Sequence, residues 1–190
     1  MSIVLKTIHM TLDPDSIANA LAEVERFEKL LKPAMTHLID RLAAKGVEVA
    51  RAELLFLGES PIYRTGALSE SIKYESEEGK ASITAGEGLD TEYGSYAMFV
   101  EYGTGIVGAN NKLPQAEDEG YSYDVHHHGD KGWWYIAPWG TYEADDGNKL
   151  AWTKGMAPRP FMHHTLLDLE AEAERNGARI IAEYIADHKR

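Results

Sequence analysis

Tyr96-Ala97-Met98-Phe99-Val100-Glu101-Tyr102, closed by Gly103-Thr104-Gly105, is the stretch on which the fold turns. Its run of aromatic and apolar residues reads as a central β-strand, and Gly103 permits a tight turn at its end. About fifty residues later Lys154-Gly155-Met156-Ala157-Pro158-Arg159-Pro160-Phe161-Met162 leads into a helical pattern. Upstream of both stands Arg64-Thr65-Gly66-Ala67-Leu68, a turn leading into β structure.

Outward from the strand, the N-terminal region is helical. Asp13-Pro14 supplies a cap and a first-turn proline. Ile17, Leu21, Val24, Glu28, Leu31, Met35, Leu38 and Leu42 then recur at steps of three and four, one apolar stripe with a polar lapse at Glu28. The pattern persists to about Leu57. An unbroken helix of that extent is roughly 64 Å long, more than a compact domain of this size covers. Pro33 is therefore expected to kink or break it, with Gly46 a weaker candidate. Before this region, residues 3–8 alternate as a short strand. Residues 71–76 and 80–85 flank Glu77-Glu78-Gly79 as a hairpin. Residues 103–132 are polar and glycine-rich and read as a long, exposed, mobile loop. Trp133 to Ala137 returns as a strand. Pro160 opens a last helix whose apolar face is Met162, Leu166, Leu169, Ala173, Gly177, Ile180 and Tyr184. The expected fold is α+β. One domain over residues 1–190 holds a mainly antiparallel sheet, packed by a kinked N-terminal helical region and a C-terminal helix.

Composition narrows the function. The 190 residues are 44% hydrophobic, which excludes wholesale disorder. The chain has no cysteine, so disulfide and thiolate chemistry are absent. No apolar run approaches the roughly eighteen residues of a membrane span, and the first residues do not resemble a signal peptide. Thirty-one acids against nineteen bases give a net charge of −12, which repels phosphate backbones.

Chemical motifs are weak. Gly103, Gly105 and Gly108 match a dinucleotide-binding pattern, but the following Asn110-Asn111 and Pro114 offer no helix to receive a pyrophosphate. His126-His127-His128 with Asp130 carries metal-ligand chemistry, yet adjacent residues project differently and rarely converge on one ion. Ser60 lacks the second glycine of a nucleophile elbow. The dense aromatics Tyr121, Tyr123, Trp133, Trp134, Tyr135, Trp139 and Tyr142 divide between core and interface, with Trp133 and Tyr135 facing inward. Trp134 and Trp139 are left as interface candidates.

The three motifs in this order, across about one hundred residues, resemble the gene-product-ten-like family of phage tail and neck components. The resemblance implies an α+β, non-enzymatic virion protein made in the host cytoplasm. It would act at the head–tail junction as a homo-oligomeric ring, often a hexamer. Tail-terminator and head-closure or connector proteins would be its neighbours. DNA would pass through the lumen without specific binding, and neither cofactor nor membrane is implied. Arg64, Thr65, Gly66, Glu101, Tyr102, Gly103, Thr104, Arg159, Pro160, Phe161 and Met162 are then fold anchors or subunit contacts, with Arg64 and Arg159 expected to pair with Glu101 or with an acid on the next subunit. Two other classes remain open: a metal-dependent hydrolase using His126, His128 and Asp130, and an acidic decoy of a DNA-handling protein.

Overall fold

The computed structural model describes residues 11–56, 66–91 and 94–188. The strand expected at 3–8 and the residues Arg64 and Thr65 lie outside them. The fold is α+β, as expected: a long N-terminal helix, a C-terminal helix and small antiparallel sheets. The chain divides into two compact units. One comprises Met1–Ala52, Lys73–Thr84 and Thr165–Arg190; the other comprises Glu53–Ile72 and Ala85–His164.

The first unit is built on α1 (Pro14–Phe56), which belongs to it as far as Ala52. Asp13 caps α1, its carboxylate accepting the Ser16 N–H at 2.9 Å. The expected break at Pro33 does not occur: α1 is one helix of 43 residues with Pro33 inside it. Proline in a helix interior costs about 3 kcal/mol. The turn that follows offsets this by packing, with Ala34 and Leu38 both buried. A hairpin of β1 (Lys73–Glu77) and β2 (Lys80–Thr84) forms where its turn signal stands, in the register Lys73 opposite Thr84 and Glu77 opposite Lys80.

The helix α6 (Phe161–Asp187), in this unit from Thr165 onward, runs antiparallel to α1. Close approach at two glycines sets the packing. A methyl group on Gly46 would press on Ile83 and Leu169, and one on Gly177 would meet Leu38 at 3.5 Å. Lys45 bridges Glu172 at 3.0 Å, and the rings of His37 and Tyr184 lie 5.1 Å apart. The Lys45 ammonium and the Asn176 amide hold the Glu172 carboxyl below its ordinary range. The expected face of α6 is buried at Gly177 and Ile180, but Leu166 is exposed. Ile180→Ala is expected to cost about 3 kcal/mol of unfolding free energy, read by urea denaturation with far-ultraviolet circular dichroism. A loss under about 1 kcal/mol would place Ile180 outside the core.

In the second unit, Gly66 has a left-handed backbone (φ 70°) and opens the short helix α2 (Ala67–Ser71) before β1 begins. The Ser71 hydroxyl accepts the N–H of Gly86 at 2.8 Å. The pair β3 (Asp90–Thr91) and β4 (Gly94–Ser95) precedes Tyr96–Tyr102, which is a helix, α3, and not the expected central strand. The physical reason is visible in its buried residues: Ala97, Val100 and Glu101 recur at three and four, the helical period, and Tyr102 is buried beside Glu101 in the last turn.

The expected exposed loop is corrected in its structure, while from Ala109 to Gly132 only Ala116 is buried. Two helical turns, α4 (Gly105–Ala109) and α5 (Pro114–Asp118), and a 3₁₀ turn at Gly129–Lys131 occupy it. Gly103, Gly105, Gly108 and Ala116 are buried. The Tyr121 hydroxyl donates to the Gly103 carbonyl at 2.5 Å, and its ring packs on Tyr102 and Tyr123 at 5.1 Å each. Burial pushes the Tyr121 phenol far up, so it stays protonated and donates. A three-stranded antiparallel sheet follows in the order β5 (Trp133–Ile136), β7 (Lys149–Thr153), β6 (Tyr142–Glu143), with β8 (Gly155–Met156) after it. Among the described residues no helix is long and apolar enough to cross a membrane.

Candidate functional site

Two features stand out in the second unit: a junction where the sequence motifs meet, and an open aromatic sheet face.

The junction begins where α3 ends. Gly103 leaves the helix with φ 79° and ψ 179°, its N–H donating to the Phe99 carbonyl at 2.9 Å. That turn lays Thr104 and Gly105 antiparallel to Met156 and Gly155. The Arg159 N–H then reaches the Val100 carbonyl at 2.9 Å. Here α6 starts, and nothing local caps it, because the preceding Pro160 has no side-chain acceptor. Glu101 does this instead. Its two carboxylate oxygens accept the N–H groups of Met162 (2.9 Å) and His163 (3.0 Å). A carboxylate there satisfies two orphan donors and faces the positive end of the helix dipole.

Glu101 is only 7% exposed and Phe161, beside it, 2%. Burial pushes the Glu101 carboxyl above its ordinary range; the two N–H groups and the neighbouring His163 and His164 oppose the shift without cancelling it. Burial also raises the Tyr96 phenol, against the pull of the Arg159 guanidinium. Glu101, Tyr102, Gly103, Thr104, Arg159, Pro160, Phe161 and Met162 are therefore brought together in one junction. The contact between Arg159 and Glu101 runs through the backbone, the Arg159 N–H also approaching the Glu101 carbonyl at 3.2 Å.

The glycines that imitate a dinucleotide motif are used up by this packing. A methyl group on Gly105 would meet the Trp133 ring at 2.8 Å, and one on Gly108 would meet Tyr123 at 3.0 Å. The five-residue helix α4 begins inside the glycine pattern, and a helix precedes the pattern where a strand is required.

In the histidine run the rings of His126 and His128 lie 5.5 Å apart, edge to face. The His128 Nδ1 lies 3.0 Å from the Asp124 carboxylate, and its ring stacks on Trp133 at 4.6 Å. Asp124 also accepts the Gly129 N–H at 2.7 Å. Although burial acts to raise the Asp124 carboxyl, the N–H groups of His128 and Gly129 and the His128 imidazole outweigh it and lower it. His127 takes a left-handed backbone (φ 57°). Among the described residues no three His, Asp or Glu side chains are gathered to hold a metal ion.

The aromatic face lies on the three-stranded sheet. Directly opposed residues share a face: Trp134 pairs with Trp152, Ile136 with Leu150, and Tyr142 with Leu150. The rings of Trp134 and Trp152 lie 5.3 Å apart, and those of Trp134 and Tyr142 5.4 Å. Trp133 and Tyr135 point the other way and are half-buried. On the open side Trp134 and Trp152 are each 48% exposed, Tyr142 54% and Ile136 68%, and Trp139 is 45% exposed. Trp134 was legible as an interface candidate. Trp152, Ile136 and Leu150 were not, although the alternation of Leu150 and Trp152 within Lys149–Thr153 carries the signal.

No protein-family model matches the chain, and no curated protein or solved structure matches it.

Proposed function

We propose that this chain is a non-enzymatic structural subunit of the head–tail junction of a long-tailed phage or prophage, a neck or tail-completion protein. In this reading it assembles as a homo-oligomeric ring, often of six copies, between tail-terminator and head-closure proteins. DNA passes through the lumen without specific binding, as suits a chain of net charge −12. The observation that supports it best is the face of Trp134, Ile136, Tyr142 and Trp152. Large aromatic area left in water on one side of a sheet is characteristic of surfaces that meet another protein. The union of the three resembling motifs' last two members in one junction is consistent with it, since their spacing then serves one structural purpose. Nothing observed favours the metal-dependent hydrolase.

The test is electron microscopy of lysates from a prophage lacking the gene. Filled heads and separate tails are expected; normally joined particles would end this reading. A finer measurement uses Trp134→Arg/Trp152→Arg. Both side chains are half exposed, so the variant is expected to fold within about 1 kcal/mol of the wild type. It should nevertheless fail to restore joined particles to the deletion strain, and full restoration would show that the aromatic face is not a contact.

A further inference from the structure

We propose that the outer edge of β5 is a second contact, at which two copies of this chain pair β5 with β5 antiparallel and join their three-stranded sheets into one. In the order β5, β7, β6 the strand β5 is an edge. Its register on β7 fixes which backbone groups that edge presents. Ala137 and Lys149 continue the pairing of Ile136 with Leu150, and the Ala137 N–H donates to the Lys149 carbonyl at 2.8 Å. In an antiparallel ladder hydrogen-bonded and non-bonded pairs alternate. Trp133 and Tyr135 are therefore bonded to β7, whereas the backbone N–H and C=O groups of Trp134 and Ile136 point the other way. Among the described residues none of these groups has a hydrogen-bond partner. Ile136 is 68% exposed, so the edge is open to solvent there.

Donors and acceptors that recur at every second residue of a strand are matched by another extended strand. Sheet edges are ordinarily guarded against this by charge, proline or brevity. The opposite edge, β6, is guarded: it has two residues, and one of them is Glu143. Within Trp133–Ile136 there is neither a charge nor a proline. That edge is left ready to pair.

Self-complementarity selects a second copy as the occupant. With a two-fold axis at Tyr135, Trp134 of each copy stands opposite Ile136 of the other and exchanges both N–H···O bonds with it. This sets an aromatic against a β-branched side chain, a favourable cross-strand pair, and does so twice. Charge agrees with the same register. Asp130 and Lys131 flank β5 on one side, whereas on the other side the chain is uncharged until Glu143. Antiparallel pairing runs the Asp130–Lys131 end of each copy past the uncharged Ala137–Gly140 stretch of the other. Parallel pairing would set Asp130 beside Asp130 and Lys131 beside Lys131. Lys149 already stands opposite Glu143 within the sheet. Such a contact is two-fold and closes on itself. It uses the edge of the sheet and leaves the aromatic face open, so it does not rest on the virion reading, and either can fail while the other stands.

The absence of cysteine permits a test of the register on the full chain. Trp134→Cys and Ile136→Cys are purified separately and oxidised mildly, alone and as an equimolar mixture. A covalent pair is expected from the mixture and little from either variant alone. In this register the two copies of residue 136 lie roughly 8 Å apart, beyond the reach of a disulfide, and so do the two copies of residue 134. Cross-linking of each variant with itself as readily as in the mixture would establish a different arrangement, and no cross-linking in the mixture would remove the contact; either overturns the proposal. Light scattering supplies the second measurement. Ile136→Lys places on this edge the charge that guards edge strands elsewhere. It should halve the assembly mass of the wild type with far-ultraviolet circular dichroism unchanged, and Ile136→Val should keep the wild-type mass. An Ile136→Lys protein of unchanged mass would refute the contact. So would a wild type already at the single-chain mass, since the edge would then await a strand from another protein.

Discussion

Replacing Glu101 by alanine is expected to lower the unfolding free energy of the second unit by about 3 kcal/mol, the cost of stranding two buried donors at a helix start. The N–H groups of Met162 and His163 would lose both acceptor oxygens. Water reaches the site poorly, because Glu101 and Phe161 are buried. All four tryptophans, at 133, 134, 139 and 152, fall in this unit. Their fluorescence during urea denaturation reports its unfolding. Glu101→Gln should fall between alanine and the wild type: its carbonyl oxygen still accepts one N–H, while its amide nitrogen faces the other donor unfavourably. If alanine lies within about 0.5 kcal/mol of the wild type, the carboxylate is not what holds the start of α6.

Acidity supplies a further arm of that experiment. The Glu101 carboxyl is raised in the folded chain, chiefly by burial. Between its ordinary range and the raised one, the folded chain binds more protons than the unfolded chain. Stability from this group is therefore fully present below the ordinary glutamate range and falls as pH rises through the raised value. Glutamine does not titrate. The wild type's advantage over Glu101→Gln should accordingly shrink as pH rises across that window and stay constant above it. An advantage that grows across the window would mean that hydrogen bonding to the ionised form outweighs burial.

This same carboxylate shows where reading the sequence stops. The two long helices, the hairpin and β5 were legible, because periodicity and turn residues are local. Glu101 was singled out, but its role was not evident: its acceptor function is exercised 61 residues away, on Met162. A sign was nonetheless present in Arg159-Pro160-Phe161, a helix start with no Ser, Thr, Asp or Asn to cap it. Such a start demands an acceptor from elsewhere. Tyr96–Tyr102 misled because seven residues rich in aromatics fit both periods, and only burial at Ala97, Val100 and Glu101 separates them. Pro33 misled for a different reason. A local penalty of about 3 kcal/mol was set against a compact-domain length, whereas α1 runs through the proline and packs on its C-terminal side, at Ala34 and Leu38. Residues 103–132 read as an exposed loop by composition, yet Gly103, Gly105, Gly108 and Gly132 and the Tyr121 hydroxyl are spent on close packing.

The second large effect is expected at Gly103→Ala, with Gly79→Ala as its control. Both glycines have left-handed backbones of nearly equal φ, 79° and 78°. Any strain from φ alone, about 1–2 kcal/mol for an alanine, is therefore common to the two. Their surroundings differ. A methyl group at Gly79 meets nothing within 4 Å, at the tip of the hairpin. At Gly103 it would strike the Met156 carbonyl and lie 2.7 Å from the Pro158 nitrogen. These are backbone atoms, held by the Thr104–Met156 bridge and the Arg159 N–H bond, and cannot swing aside as a side chain does. The ψ of 179° adds a second penalty, since that combination is nearly confined to glycine. Gly103→Ala should thus lose roughly 4 kcal/mol or more, or accumulate as insoluble protein, while Gly79→Ala loses about 1–2. Equal losses at the two positions would mean that the chain around Met156 yields freely, and the junction joining the two motifs would not be the rigid element described.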